Sequence, residues 1–263
     1  MRRTATKRTH HSSLITHHFA RGAFALIAFF LLSSASAIDP TFVRGETLDY
    51  ELVWLKMSGG SARMTISPQS ADPNNYLITS VAKSTSGFSR IYKVRDEIET
   101  VVARANFSTL RYHKSLSEGP SHKDETVTYA NGIATRKGKT YPVPTPVFDP
   151  LSLMYYLRTQ QLVPGRTYRF TVFADKKTYD VVANVTERQT IGTPAGTFKT
   201  VVVEPEMHAG GLYRDEDSKL TIWYSDDDRH LPVRIRSDVK IGSITMSLRR
   251  ATAGVTSIQP DSK

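Results

Sequence analysis

The stretch "LTIWYSDDDRHLPVRI", residues 220–235, decides how the rest of the chain is read. Leu220, Ile222 and Tyr224 alternate with Thr221, Trp223 and Ser225, and a period of two marks a strand whose faces meet different surroundings. Asp226 to Arg229 break the alternation with side chains that bond nearby backbone amides in turns, and Leu231, Val233 and Ile235 resume it. The stretch therefore reads as a β-hairpin, and Pro232 at the start of its second strand implies an edge position or a bulge. It also sets a tryptophan, aspartates and a basic pair side by side, as many active sites do, so it is the first place to look for chemistry.

Outward from this hairpin the same pattern recurs. "LDYELVWLKM", "SARMTIS", "NYLITSVAKS", "IYKVRDEIETVVA", "STLRYHKSLS", "HKDETVTYA" and "GIATRKGKTY" fill the first half, and "RTYRFTVFA", "TYDVVANVTER", "GTFKTVVVEPEM" and "GSITMSLRR" the second. Roughly a dozen short strands joined by tight turns argue for an antiparallel meander, and one sheet that wide has to curl or close. Ser58-Gly59-Gly60, Asn131-Gly132 and Pro194-Ala195-Gly196 carry turn chemistry, and the basic clusters "RKGK" (136–139) and "DKK" (175–177) fall where turns are expected.

One segment is clearly helical. "DPLSLMYYLRTQQL" (149–162) opens with Asp149 as N-cap and Pro150 at the first helical position, and Pro164-Gly165 stops it. Its apolar residues go most of the way round, so the helix should be buried on more than one side, against the concave face of the curled sheet. The expected fold is mainly β: a single curled antiparallel sheet, half-barrel or near-closed barrel, packed around one buried helix.

The first 37 residues hold five basic residues and no acids, then the apolar run "AFALIAFFLL" and the small residues "SSASA". This is the form of a signal peptide cleaved after Ala37, with an apolar core too short to span a bilayer as a permanent helix. Residues 38–251 are then one β-rich domain and 252–263 a flexible tail. Five of the 35 basic residues leave with the leader, so 30 face 25 acids, a net charge of +5 that is poor ground for nucleic-acid binding. The chain has no cysteine, which removes thiol catalysis, cysteine-containing metal sites and disulfides together. An exported, periplasmic protein that is not integral to the membrane is expected.

No serine elbow, phosphate loop, dinucleotide fingerprint or zinc spacing is found, and no cofactor or metal is implied. The acid clusters "RDEIE" (95–99), "RDEDS" (214–218) and "SDDDR" (225–229) lie in or beside turns or alternate along a strand. The aromatics are more informative, because a curled sheet gathers several of them on its inner face, as core or as the lining of an apolar cavity.

"FVRGETLDYELVW", "SGGSARMTI", "DPLSLMYYLR", "LVPGRTY", "TPAGTFKTVVVEP", "LTIWYSDDDRHLPVRI" and "IGSITMSL", in that order from Phe42 to Leu248, resemble the exported bacterial domain of unknown function 3108. That resemblance implies no established activity. The tryptophan, turn acids and Leu-Pro-Val-Arg also resemble a pattern in periplasmic lipoprotein carriers, whose curved sheet wraps helices around an apolar cavity. This chain departs from them in having one evident helix, which argues against a roomy cavity.

The leading expectation is a non-catalytic protein that binds a lipid, another apolar envelope component or an envelope protein. Trp54, Tyr155, Tyr156, Phe170 and Trp223 are the candidate cavity lining, with Arg234 and Arg236 as anion contacts at the rim. Two alternatives stand beside it. One is a carbohydrate-active enzyme using Asp226 or Asp227 with Asp96 or Glu97, for which Trp223 would be the sugar platform. The other is an assembly factor that presents a sheet edge for strand addition.

Overall fold

The computed structural model describes Phe42 and residues 45–90, 92–208, 219–238, 242–253 and 257–258. The expected leader, its cleavage site and the "RDEDS" acids lie outside the described residues. In chain order the elements are β1 (Glu46–Trp54), β2 (Met57–Pro68), β3 (Asn75–Ser84), a short 3-10 turn (Phe88–Arg90), β4 (Val94–Ala103), β5 (Thr109–Glu118), β6 (Ser121–Ala130), β7 (Ile133–Arg136) and β8 (Lys139–Pro142). The helix α1 (Pro150–Leu157) follows, then β9 (Thr167–Ala174), β10 (Lys177–Thr193), β11 (Gly196–His208), β12 (Leu220–Ser225), β13 (Pro232–Asp238), β14 (Ser243–Ala253) and β15 (Ser257–Ile258).

All strands belong to one antiparallel sheet in the order β8-β7-β6-β5-β4-β3-β2-β1-β14-β13-β12-β11-β10-β9, with β15 on β14. Every neighbour on this path is a hairpin partner except β1 and β14, which join the two arms of the meander in the middle. Among the described residues no ladder links the outer strands β8 and β9, so the sheet is curled and not closed. The connection from β8 to α1 seams the gap instead. Thr109 donates its N–H to Val147 O, while Phe148 pairs with Val172 of β9, giving its N–H to Thr171 O and accepting from Phe173. Phe173 then packs against Tyr112, Val127 and Tyr129 of the opposite arm, and Asp175 in the β9–β10 turn meets Lys123 of β6 at 3.0 Å.

The helix sits where its composition demanded, with Leu151, Leu153, Met154, Tyr155 and Leu157 all buried. Fully burying such side chains stabilises by about 1.5–3 kcal/mol each. Asp149 caps it: one carboxylate oxygen accepts from Leu151 N and Ser152 N at 2.9 and 3.1 Å, the other from the hydroxyls of Thr100 and Thr109 at 2.6 and 2.8 Å. The N-cap thus also nails the helix to β4 and β5. At the far end the helix stops at Leu157, five residues before the expected Leu162. Arg158, Thr159 and Gln160 make tight i→i+3 bonds to Tyr155, Tyr156 and Leu157, and the Arg158 guanidinium is drawn into a bidentate pair with Glu46 of β1 at 2.6 and 2.8 Å.

The 220–235 hairpin is present as β12 and β13, with a register shift between Trp223 and Tyr224. Pro232 therefore marks a bulge in a central strand. The turn docks on the helix end, because Arg229 O accepts from Arg158 Nε and Nη2, and His230 Nδ1 lies 2.9 Å from Arg158 O. Asn131-Gly132 and the two basic clusters do form hairpin turns. Ser58-Gly59-Gly60 does not link β1 to β2: the reversal is at Leu55-Lys56, both with positive φ (49° and 65°), and the glycines lie inside β2. Beyond Ala251, β14 continues to Ala253 and Ser257–Ile258 pair back on it.

Candidate functional site

Along β1 the inner face runs Leu48, Tyr50, Leu52, Trp54, and the first two are fully buried under α1 while the last two are only half-buried. The helix covers one end of the concave face and leaves the other uncovered. At that open end the inner positions of the neighbouring strands are small: Gly60 on β2, and Ala82 and Ser84 on β3. Gly60 admits no side chain there, since a Cβ would sit 2.3 Å from the carbonyl oxygen of Lys83. Small residues in a curved wall leave space, and the space is a cavity of about 430 Å³.

Its lining is mainly apolar: Leu52, Trp54, Val94 and Ile244 on strands, with Phe88 from the 3-10 turn and Tyr92 closing over it. Trp54 and Phe88 meet edge to face, centroids 5.6 Å apart at 78°, the arrangement aromatic quadrupoles favour. Tyr92 lies against Gly119, where a Cβ would come within 2.8 Å of its ring. Two carboxyls complete the wall, Asp96 on β4 and Glu118 at the end of β5. Burial, and then the negative charge of Glu118, push the Asp96 carboxyl up to about 6, although the N–H of Ser117 donates to it.

The seven predicted site residues do not converge. Trp54 lines the open-end cavity. Tyr156 and Phe170 line a second cavity of about 530 Å³ with Pro144, Pro146 and Arg169, their rings 5.7 Å apart and perpendicular. Tyr155 is packed into the core against Phe42, and burial followed by the Glu46 charge raises its phenol well above the usual range.

Trp223 faces away from the helix, since Tyr224 beside it donates to Met154 O at 3.0 Å. Its indole N–H donates to Gln189 Oε1 at 2.8 Å, and the Arg234 guanidinium stands 5.9 Å over its ring. Arg236 is engaged with Asp238. Leu52, Val94, Glu118 and Ile244 are among the cavity residues that no sequence pattern singled out.

Of the candidate acids, Asp96 is at the cavity and Glu97 pairs with Arg95 on the surface. Asp226 pairs with Arg188. Burial would raise the Asp227 carboxyl, but bonds from Arg229 and Ser225 hold it below the usual carboxylate range. Asp226 and Asp227 therefore fix the β12–β13 turn and line neither cavity.

The family model described as "Protein of unknown function (DUF3108)" matches residues 47–249. The chain belongs to the DUF3108 family. The matched span of this DUF3108 chain runs from the first residues of β1 to β14 and so includes the open-end cavity and the helix. Among solved structures it is similar to a β-barrel-like protein of domain of unknown function DUF1849 from Brucella abortus. That match has a TM-score of 0.54 and 11% identity, covering 81% of this chain and 100% of that one. A protein from Bacteroides fragilis described as exported, with a YmcC-like fold, matches at 0.38 and 11% identity over 80% and 96% of the chains. One from Parabacteroides distasonis described as a lipoprotein matches at 0.35 and 13% over 82% and 98%. At 11% identity the likeness to the Brucella abortus protein concerns the fold alone. No curated protein matches the chain in sequence. Among the described residues no helix is long and apolar enough to cross a membrane.

Proposed function

We propose that this DUF3108 chain is an exported, non-catalytic protein of the periplasm that binds the apolar part of a lipid or similar envelope amphiphile at the open end of its sheet. One observation carries the reading: a cavity of about 430 Å³, lined by Leu52, Trp54, Phe88 and Ile244 and left uncovered by the single helix. Its size falls within the roughly 300–1,000 Å³ of ordinary ligand pockets. The basic and apolar leader expected to be cleaved after Ala37 fits an envelope setting. Arg234 and Arg236 are outside the lining of this cavity: Arg234 donates to Gly192 O and Arg236 pairs with Asp238.

The two alternatives have no observation of their own. Asp226 and Asp227 are tied into a turn, away from Asp96 and Trp54. For strand addition, β8 is four residues long and carries Lys139 and Pro142, features that blunt an edge, and Phe148 occupies the edge of β9 at Thr171 to Phe173.

The chain has two tryptophans, so a Trp223→Phe variant reports on Trp54 alone. Titration of that variant with a brominated fatty acid should quench its fluorescence. Loss of the response in Trp54→Phe, and a co-purifying amphiphile in native mass spectrometry, should accompany it. A Trp54 signal indifferent to every acyl probe, with nothing co-purifying, would sink the reading.

A further inference from the structure

Six large apolar side chains are prominently exposed among the described residues, and four of them gather at the open end. Leu55 and Met57, 46% and 49% exposed, flank Lys56 in the turn that follows Trp54. Tyr92 and Ile244, 42% and 38% exposed, stand on the cavity wall. Leu55 is laid across Gly242, where a Cβ would come within 2.4 Å of its Cδ2. The tip is thus supported by backbone and projects apolar surface around the entrance to an apolar cavity.

The charges beside it are mostly of one sign. Lys56, Lys83, Arg90 and Lys93 are exposed, on or next to the same turns, and face one exposed acid, Glu118, while Asp96 lines the cavity within. Lysine is depleted from protein–protein interfaces. Beside exposed Leu, Met and Tyr it is the residue that lets a stem lie along acyl chains while its ammonium meets anionic headgroups.

We infer that this rim docks on the surface of an anionic bilayer, with Leu55 and Met57 entering the headgroup boundary and the cavity opening toward the lipid. The inference extends the proposed reading by naming where the amphiphile enters, and it rests on that reading only for the transfer step.

The test uses the chain expressed from its full sequence and recovered as the host processes it. Co-sedimentation is measured with vesicles of phosphatidylethanolamine and phosphatidylglycerol (3:1) and with pure phosphatidylcholine. Binding should favour the anionic vesicles and weaken with salt. Lys56→Glu with Lys93→Glu should weaken it by about 30-fold or more, at about one decade of affinity or slightly less per basic residue. Leu55→Ser with Met57→Ser should weaken it by at least about tenfold. All four positions are exposed, and unchanged melting temperatures would show that the variants fold.

Equal sedimentation of wild type and variants, or of both vesicle types, would overturn the inference. So would binding to native envelope membranes but not to protein-free vesicles, which would put a protein partner on the rim. Quenching of Trp54 by brominated fatty acid in the absence of vesicles separates the two readings. Variants that lose vesicles but keep the probe support both, whereas vesicle binding without any probe response keeps the rim and discards the cavity.

Discussion

The two ends of the concave face are built from the same strands and have opposite fates. At the closed end β1 offers Leu48 and Tyr50, β2 Met64 and Ile66, and β3 Tyr76 and Ile78, all buried against α1 or its surroundings. At the open end the same strands offer Leu52 and Trp54, Gly60, and Ala82 and Ser84, and among the described residues no element fills the space between them. On β2 and β3, large side chains at one end and small ones at the other give one sheet a core and a cavity. The position of one short helix along the strands decides which is which.

The largest effect should come from the charges that fix that helix. Arg158 and Glu46 are buried and paired, the guanidinium also lies 4.3 Å over the Phe42 ring, and two further bonds to Arg229 O hold the β12–β13 turn. Removing one partner of a buried pair leaves an unpaired charge and costs about 3–5 kcal/mol. Arg158→Met should lose that much in urea denaturation. A loss under 1 kcal/mol would mean the closed end does not depend on the helix stop.

Asp149 is next. Asp149→Ala removes the N-cap bonds and the carboxylate partner of the buried Thr100 and Thr109 hydroxyls, so a loss of about 2 kcal/mol is expected. Because the cap lies at the closed end, the Trp54 response to acyl probes should be unaltered in the folded variant.

At the open end a substitution should act in the reverse sense, on binding and not on stability. Ala82→Leu projects into the cavity and should weaken acyl-probe binding at least about tenfold. The same change in a packed core costs about 1–3 kcal/mol by overpacking, so a melting temperature close to wild type would show that the space is free.

Much of this architecture was legible in the sequence, and the exceptions have physical causes. Alternation announced the strands of 220–235 because one face of the sheet is dry. Asp149-Pro150 announced the helix because capping is local chemistry. Gly59-Gly60 was misread as a turn because glycine serves equally where a chain reverses and where another backbone approaches closely, here Lys83 O. Leu55-Lys56 carried no turn signature at all. Arg158 meets Glu46 across 112 positions, which no local pattern encodes. Trp223 could not be assigned to a face because the outer surface of β12 also buries apolar atoms, with Val202 opposite it. Of the seven candidate lining residues, Trp54 alone lies in the open-end cavity, on a strand whose alternation is visible in the sequence.

The smallest effect concerns the acid in that cavity, and its sign distinguishes the ends further. Asp96 holds its proton up to about 6 in the folded chain, mainly through burial and then through Glu118. The unfolded chain releases that proton near the usual carboxylate value of about 4. Between these two values the native state binds more protons than the unfolded one, so stability falls as pH rises from about 4 to about 6 and the loss persists above. Asp96→Asn removes the cost while keeping an oxygen for the Ser117 N–H. Since Asp96 is only about half-buried, solvent screening reduces the expected gain to about 1 kcal/mol at pH 7, fading to nothing below about pH 4. Equal denaturation midpoints for Asp96→Asn and wild type at pH 7 would place that carboxyl in open solvent. The open end would then be a wet notch in the sheet, with no claim on an apolar ligand.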